Sequence, residues 1–252
     1  MDDSPFRISR RVGRLAGDRR AVGLLLLGAL FVGGRGWLAE NPQHNPWAPL
    51  DLNDPPGFAT ETKLAALRDD VPECRAVLER SDIAHKVLDP LGEGACERPD
   101  RTQLATYPLT PASPPTTCGV AIALELWRRN SIQPFAEEIL GSEVEQIEHL
   151  GAYSCRRLYG RDNGAWSEHA TGNAIDIAGF VLTDGTRISV LDDWGDEAEQ
   201  EGEDGNEKAA FLRQVRDGAC DSFATVLSPD YNAAHADHLH LDMSPRWGGV
   251  CR

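Results

Sequence analysis

No two cysteines in this 252-residue chain are spaced as C-x-x-C. The six that are present, even in number and dispersed, therefore point to disulfides rather than to metal ligands. No internal repeat is visible, and no pair of carboxylates sits in a glycosidase-like context. Positive charge is scarce, with 25 Lys and Arg against 40 Asp and Glu. Seven of the arginines and four of the acids lie in the first 40 residues, so the remainder carries 18 positive and 36 negative side chains, net −18. That balance argues against nucleic acid as a partner. The apolar run at residues 21–34 has 14 members, short of the ~20 that span a bilayer. No A-x-A cleavage signature follows it.

What precedes that run gives it a meaning. Arg7, Arg10, Arg11, Arg14, Arg19 and Arg20 form a basic segment ahead of the apolar one, the pattern of an export signal. Extended to Ala39, with Arg35 snorkelling, residues 21–39 make an anchor in the inner membrane. Residues 1–40 are therefore a cytoplasmic basic segment plus signal or anchor, and the rest lies outside the cytoplasm, in the periplasm. Residues 41–57 hold five prolines, which makes residues 41–60 a linker or an extended arm draped over the surface. Residues 61–252 form one domain, with its core at about 118–252.

Periodicity gives a coarse map of that domain. Residues 63–67 and 74–80 read as short helices, the second with Cys74, Val77 and Leu78 on one side. Val120, Ala123, Leu124 and Trp127 mark an amphipathic helix ending near Asn130, and residues 135–140 add another turn or two. Strands are expected at 145–156, 174–182, 187–191 and 239–243, with Thr183-Asp184-Gly185-Thr186 as a hairpin turn. Residues 207–220 form a helix on Phe211, Leu212 and Val215. The fold class is α+β, a small and mostly antiparallel sheet with helices on one face. Residues 192–207 contain nine acids in sixteen positions and read as a solvated loop. The lesser alternative is a lid closing through Trp194. Trp127 and Phe211 are expected in the core.

Two short stretches carry the chemistry. In Ser167-Glu168-His169-Ala170-Thr171-Gly172-Asn173-Ala174-Ile175-Asp176, an imidazole and a carboxylate lie seven positions apart, with Gly172 letting the chain turn into a strand. In His238-Leu239-His240, side chains two apart on a strand share a face, so His238, His240 and Asp242 project together. A catalytic zinc takes three protein ligands and leaves a fourth position to water; His169, Asp176 and one histidine of the pair supply that number. A histidine beside a carboxylate is more often only a hydrogen-bonded pair. Here, though, four of seven histidines (His169, His235, His238, His240) fall in two patches flanked by apolar strands. Imidazole and carboxylate serve manganese and copper as well.

The pattern S-x-H-x-x-G-x-A-x-D followed by H-x-H resembles the group that joins lysostaphin-type endopeptidases, zinc D-alanyl-D-alanine carboxypeptidases and the sonic hedgehog signalling domain. More closely, Gly151-Ala152-Tyr153-Ser154-Cys155-Arg156, Phe211-Leu212-Arg213, Pro229-Asp230-Tyr231-Asn232 and the closing Cys251-Arg252 resemble the bacterial extensin-like C-terminal domain family. The resemblance implies a zinc D-Ala-D-Ala peptidase-like fold. It implies His169, Asp176 and His240 as Zn2+ ligands, His238 as the catalytic histidine, and Arg156 as the group that holds the substrate carbonyl or carboxylate. Glu168 and Asp237, adjacent acids, could take the role of proton acceptor, although their neighbours are expected to turn them away. Order and resemblance together pair Cys74 with Cys96, Cys118 with Cys155, and Cys220 with Cys251, the second bridge fixing the strand that presents Arg156. The implied activity is hydrolysis of stem-peptide or cross-link amide bonds in peptidoglycan. The alternative is a non-catalytic, zinc-stabilised wall-binding or scaffold domain.

Overall fold

The computed structural model describes residues 16–195, 203–244 and 249–252. Helix α1, Ala16–Glu40, runs without a break through Gly33, Gly34 and Gly36. Its stretch of 24 residues from Gly17 is long and apolar enough to cross a membrane; at 1.5 Å per residue that is about 36 Å, against a hydrocarbon core of about 30 Å. A signal sequence and an anchor both fit this description, and the arginines before Ala16 lie outside the described residues. The proline-rich stretch after it is an arm rather than a free linker. Pro42 O accepts from Lys63 Nζ at 2.7 Å, and Leu50 O accepts from Arg80 at 2.9 Å. Leu52 N donates to Ser81 Oγ, and Leu50 and Leu52 are buried in the core.

Helices α2, Thr60–Leu67, and α3, Val71–Arg80, follow the arm; Asp70 caps α3 by accepting from Glu73 N. Cys74, Val77 and Leu78 form the buried face of α3, as their spacing requires. Strands β1, His85–Val87, and β2, Thr102–Leu104, make a separate antiparallel pair. Strand β3, Leu109–Thr110, leads to α4, Cys118–Trp127, capped by Thr117. The expected end at Asn130 does not occur. The helix widens into π turns over Arg128–Ile132, continues as α5, Gln133–Phe135, widens again over Ala136–Leu140, and stops at left-handed Gly141. Pro134 supplies no N–H and would crowd the carbonyl four residues earlier; the π turn before it is how a helix absorbs such a residue.

The remaining elements are β4, Val144–Gly151; β5, Ala174–Leu182; β6, Arg187–Ser189; α6, Val190–Asp193; α7, Glu203–Ala219; β7, Thr225–Leu227; β8, Leu239–Asp242; and β9, Val250–Cys251. One sheet runs β3-β4-β5-β8-β7-β9, with β6 also on β5. The outer pairs β3–β4 and β7–β9 are parallel and the others antiparallel, so the architecture is mixed α+β. Strand β5 organises the site. Its Ile177 and Gly179 pair with His149 and Glu148, which are adjacent in β4, so Ala178 is an extra residue, a β-bulge. The bulge shifts the two-residue alternation by one. Before it, Ile175 and Ile177 are buried and Asp176 lies on the opposite face; after it, Phe180 and Leu182 enter the core. Phe180 meets Trp127 of α4 and Phe211 of α7 edge-on, and Trp127 Nε1 donates to Val215 O. Gly179 is required here, because a Cβ would lie 2.3 Å from Ile188 O in β6. We expect Gly179→Ala to destabilise the domain by about 1–3 kcal/mol, measured by chemical denaturation; an unchanged midpoint would show that the β5–β6 pairing is looser than described.

Three expectations need correction. Two of the three disulfides are paired otherwise: the bridges are Cys74–Cys118, Cys96–Cys155 and Cys220–Cys251, so only the last is as expected. Cys74 sits on the face of α3 that packs against the start of α4, while the β1–β2 excursion carries Cys96 away from α3 to the loop after β4. Strand β4 stops at Gly151, φ 127°, leaving Arg156 beyond the strand in an extended loop. Trp194 is not a lid. It is buried, donates from Nε1 to Asp230 Oδ1 at 2.9 Å, and lies beside Arg213 and Arg216. The acidic segment around it is not all loop, since Val190–Asp193 and the start of α7 are helical; residues 196–202 lie outside the described residues. Three disulfides with no free cysteine suit an oxidising, exported location.

Candidate metal centre

Each side chain of the centre is placed by a local device. Ser167 Oγ accepts from His169 N and starts the short turn Glu168–Ala170. Gly172, φ 73°, then reverses the chain into β5. Glu168 Oε2 accepts from Asn173 Nδ2, which ties off the turn and points this acid away from the cluster, as expected. Seven residues after His169 the chain delivers Asp176 to the open face of β5. Register does the rest, because Asp176 is the direct partner of His240 in β8 and Ala174 that of Asp242.

The three groups converge. His169 Nε2 is 3.1 Å from Asp176 Oδ1 and 3.1 Å from His240 Nδ1, and His240 Nδ1 is 2.9 Å from Asp176 Oδ1. Zinc bonds of 2.0–2.1 Å in tetrahedral geometry put ligand atoms roughly 3.3 Å apart, so the triangle is within a few tenths of an ångström of closing around that ion. His238 Nε2 stands 3.5 Å from the same Asp176 oxygen. The partners behind these atoms are also in place. His240 Nε2 lies 3.1 Å from Asp242 Oδ2, and Asp242 Oδ1 accepts from Ser244 N. A carboxylate so placed fixes the proton on Nε2 and would leave Nδ1 free for a metal.

Electrostatics follow from this crowding. Burial presses the Asp176 carboxyl upward, but hydrogen bonds and charge from His169 and His240 overcome it and hold it below its ordinary value. Asp242 is likewise lowered against its burial by His240 and Ser244 N. Burial opposes a charge on His240, yet Asp176 and Asp242 raise it to about 9.

Other residues fall differently from expectation. Asp237 does not point away: its Oδ1 is 2.7 Å from His238 Nδ1. His235, noted in sequence only as part of a patch, packs its ring 5.2 Å from His238 and 5.9 Å from His240, with Nδ1 on Asn232 Oδ1. Burial, with the neighbouring His238 and His240, pushes it down to about 4. The H-x-x-H-x-H spacing was the available signal for it. Arg156 is exposed, and among the described residues its guanidinium has no hydrogen bond or ion pair. Its carbonyl accepts from Ser167 N, so it braces the His169 turn by backbone.

The family model described as Extensin-like protein C-terminus matches residues 72–252, well over half of the chain. The chain belongs to this family. No curated protein and no solved structure matches it. All six cysteines and the whole histidine–aspartate cluster lie inside the extensin-like domain. The arm and α2 precede the matched segment and pack onto it.

Proposed function

We propose that this extensin-like protein is a zinc-dependent peptidase or amidase that hydrolyses stem-peptide or cross-link amide bonds of peptidoglycan, on the periplasmic side of the membrane that α1 enters. In this reading the domain is a member of the zinc D-Ala-D-Ala peptidase-like fold group. The observation that carries it is the triangle of His169, Asp176 and His240 with a fourth group, His238, oriented beside it. A purely structural zinc is ordinarily closed by four protein ligands.

His169 Nε2, Asp176 Oδ1 and His240 Nδ1 would hold the ion, with Asp242 keeping the proton of His240 on Nε2. When bound, zinc supplies Lewis-acid polarisation of a carbonyl and lowers the pKa of water to roughly 7. His238 does the proton work. Asp237 accepts from its Nδ1–H, so the Nε2 lone pair faces the cluster, able to take a proton from the attacking water and return it to the leaving amine. Protonated, the same Nε2–H donates to the oxyanion.

The test is to purify the full chain in detergent, measure bound metal, and digest muropeptides before and after chelation. Zinc-dependent release of peptide products is expected. Absence of zinc binding sinks the reading, and zinc without products leaves the wall-binding alternative. Within the reading, Asp237→Asn should keep its zinc and lose about 10–100-fold in turnover, the range for removing a partner that orients a working imidazole. Unaltered kcat would show that Asp237 plays no part.

A further inference from the structure

Arg98 is 6 % exposed, yet among the described residues its guanidinium makes no hydrogen bond and no ion pair, and its Nε has no partner. A buried cation without a counter-charge is costly to a fold. The adjacent acid, Glu97, is exposed and makes no ion pair with it, and Asp100 is committed to Arg75, Thr102 Oγ1 and Cys118 N. Burial and the adjacent Arg101 both push the Arg98 pKa down. What the guanidinium does have is the face of Tyr153, 3.8 Å from the ring centroid.

That stacking is fixed by covalent structure. The Cys96–Cys155 bridge lies two residues before Arg98 and two residues after Tyr153, so it sets one over the other. Both sides of the pair touch the His169 turn. Ser154 N, next to Tyr153, donates to His169 O at 3.0 Å. A Cβ on Gly172, three residues past His169, would lie 3.5 Å from Arg98 Cδ.

We infer that Arg98, clamped on Tyr153 by the Cys96–Cys155 bridge, is the anion-holding residue at the edge of the centre and takes a carboxylate of the ligand. The role expected for Arg156 thus belongs to Arg98. A planar fork of donors resting on an aromatic face suits a carboxylate, which it grips through two parallel hydrogen bonds. Naming that carboxylate as the C-terminus of a peptide substrate rests on the peptidase reading above.

The probe is an N-acetylated dipeptide with a free C-terminus, titrated calorimetrically into the full-length protein beside its C-terminal amide, both as purified and after chelation. The wild type should prefer the free acid by about tenfold or more, in either metal state. Arg98→Met should lose that preference, Arg98→Lys should lose most of it, and Arg156→Met should keep it. Because Arg98→Met removes an unpaired buried charge, its Tm should hold or rise. A preference that survives Arg98→Met, or is lost in Arg156→Met, overturns the inference, as does a wild type that does not distinguish acid from amide. A fall in Tm of several degrees in Arg98→Met marks a structural arginine and overturns it too. Should Arg98→Met fail to accumulate, Arg98→Lys carries the same readout. Failure of the peptidase reading, no zinc and no products, leaves the acid preference after chelation intact.

Discussion

Full-length protein carrying His240→Ala is expected to purify without zinc and to leave peptide amide bonds intact. His240 contributes one corner of a triangle whose sides are 2.9 to 3.1 Å. Loss of an outer partner of a metal ligand already costs about 10–100-fold in affinity or activity, so loss of the ligand itself should exceed that range. The wild type should also gain stability from zinc by mass action, while the variant should melt where chelated wild type melts. Zinc retained at full stoichiometry in His240→Ala would dismiss the assignment of ligands. The pH dependence has a defined sign. Without metal, His240 is raised to about 9, above its ordinary 6.5, so the stabilisation from its proton is complete below 6.5 and is lost as pH climbs through about 9. Zinc must displace that proton, so affinity should tighten across the same window.

Strand β5 shows how far the chain could be read without coordinates. Its ends at Ala174 and Leu182, the turn after it, and the presence of Asp176 beside an imidazole were all visible in residue types and spacing. The bulge at Ala178 was not. It depends on Glu148 and His149 being adjacent in a partner strand, and without it Asp176 and Phe180 would share a face. The same holds for the helix after Cys118, where Pro134 suggests a break and packing against α7 carries the helix through in π turns. Site residues divide along this line. His169, Asp176, His238 and His240 announce themselves as local patterns. Asp237 could have faced either way from its position before β8, and only the direction of His238 Nδ1 settles it. Nothing in Glu97-Arg98-Pro99 marks Arg98, because being without an acid is a property of tertiary neighbours. The disulfides depend on helix packing in the same way.

Replacing both Cys74 and Cys118 with serine is expected to give the largest loss of stability of any change considered. The bridge closes 44 residues, which in the chain-entropy account is worth about 4 kcal/mol. Cys96–Cys155 closes 59 and is worth about the same on that account. Surroundings separate them. Both sulfurs of Cys74–Cys118 lie in fully buried residues between α3 and α4, so two serines there also leave unsatisfied hydroxyls in an apolar core, whereas Cys155 is exposed. The double variant at 74 and 118 should therefore lose more than the one at 96 and 155 in urea denaturation under non-reducing conditions. Equal losses would mean that loop closure alone accounts for both. The consequence reaches the centre through a short path: Cys118 begins the helix that places Trp127 against Phe180, and Phe180 anchors the half of β5 beyond the bulge. Release of α4 should loosen β5 and lower zinc occupancy. Opening Cys96–Cys155 should spare zinc and weaken the carboxylate preference instead.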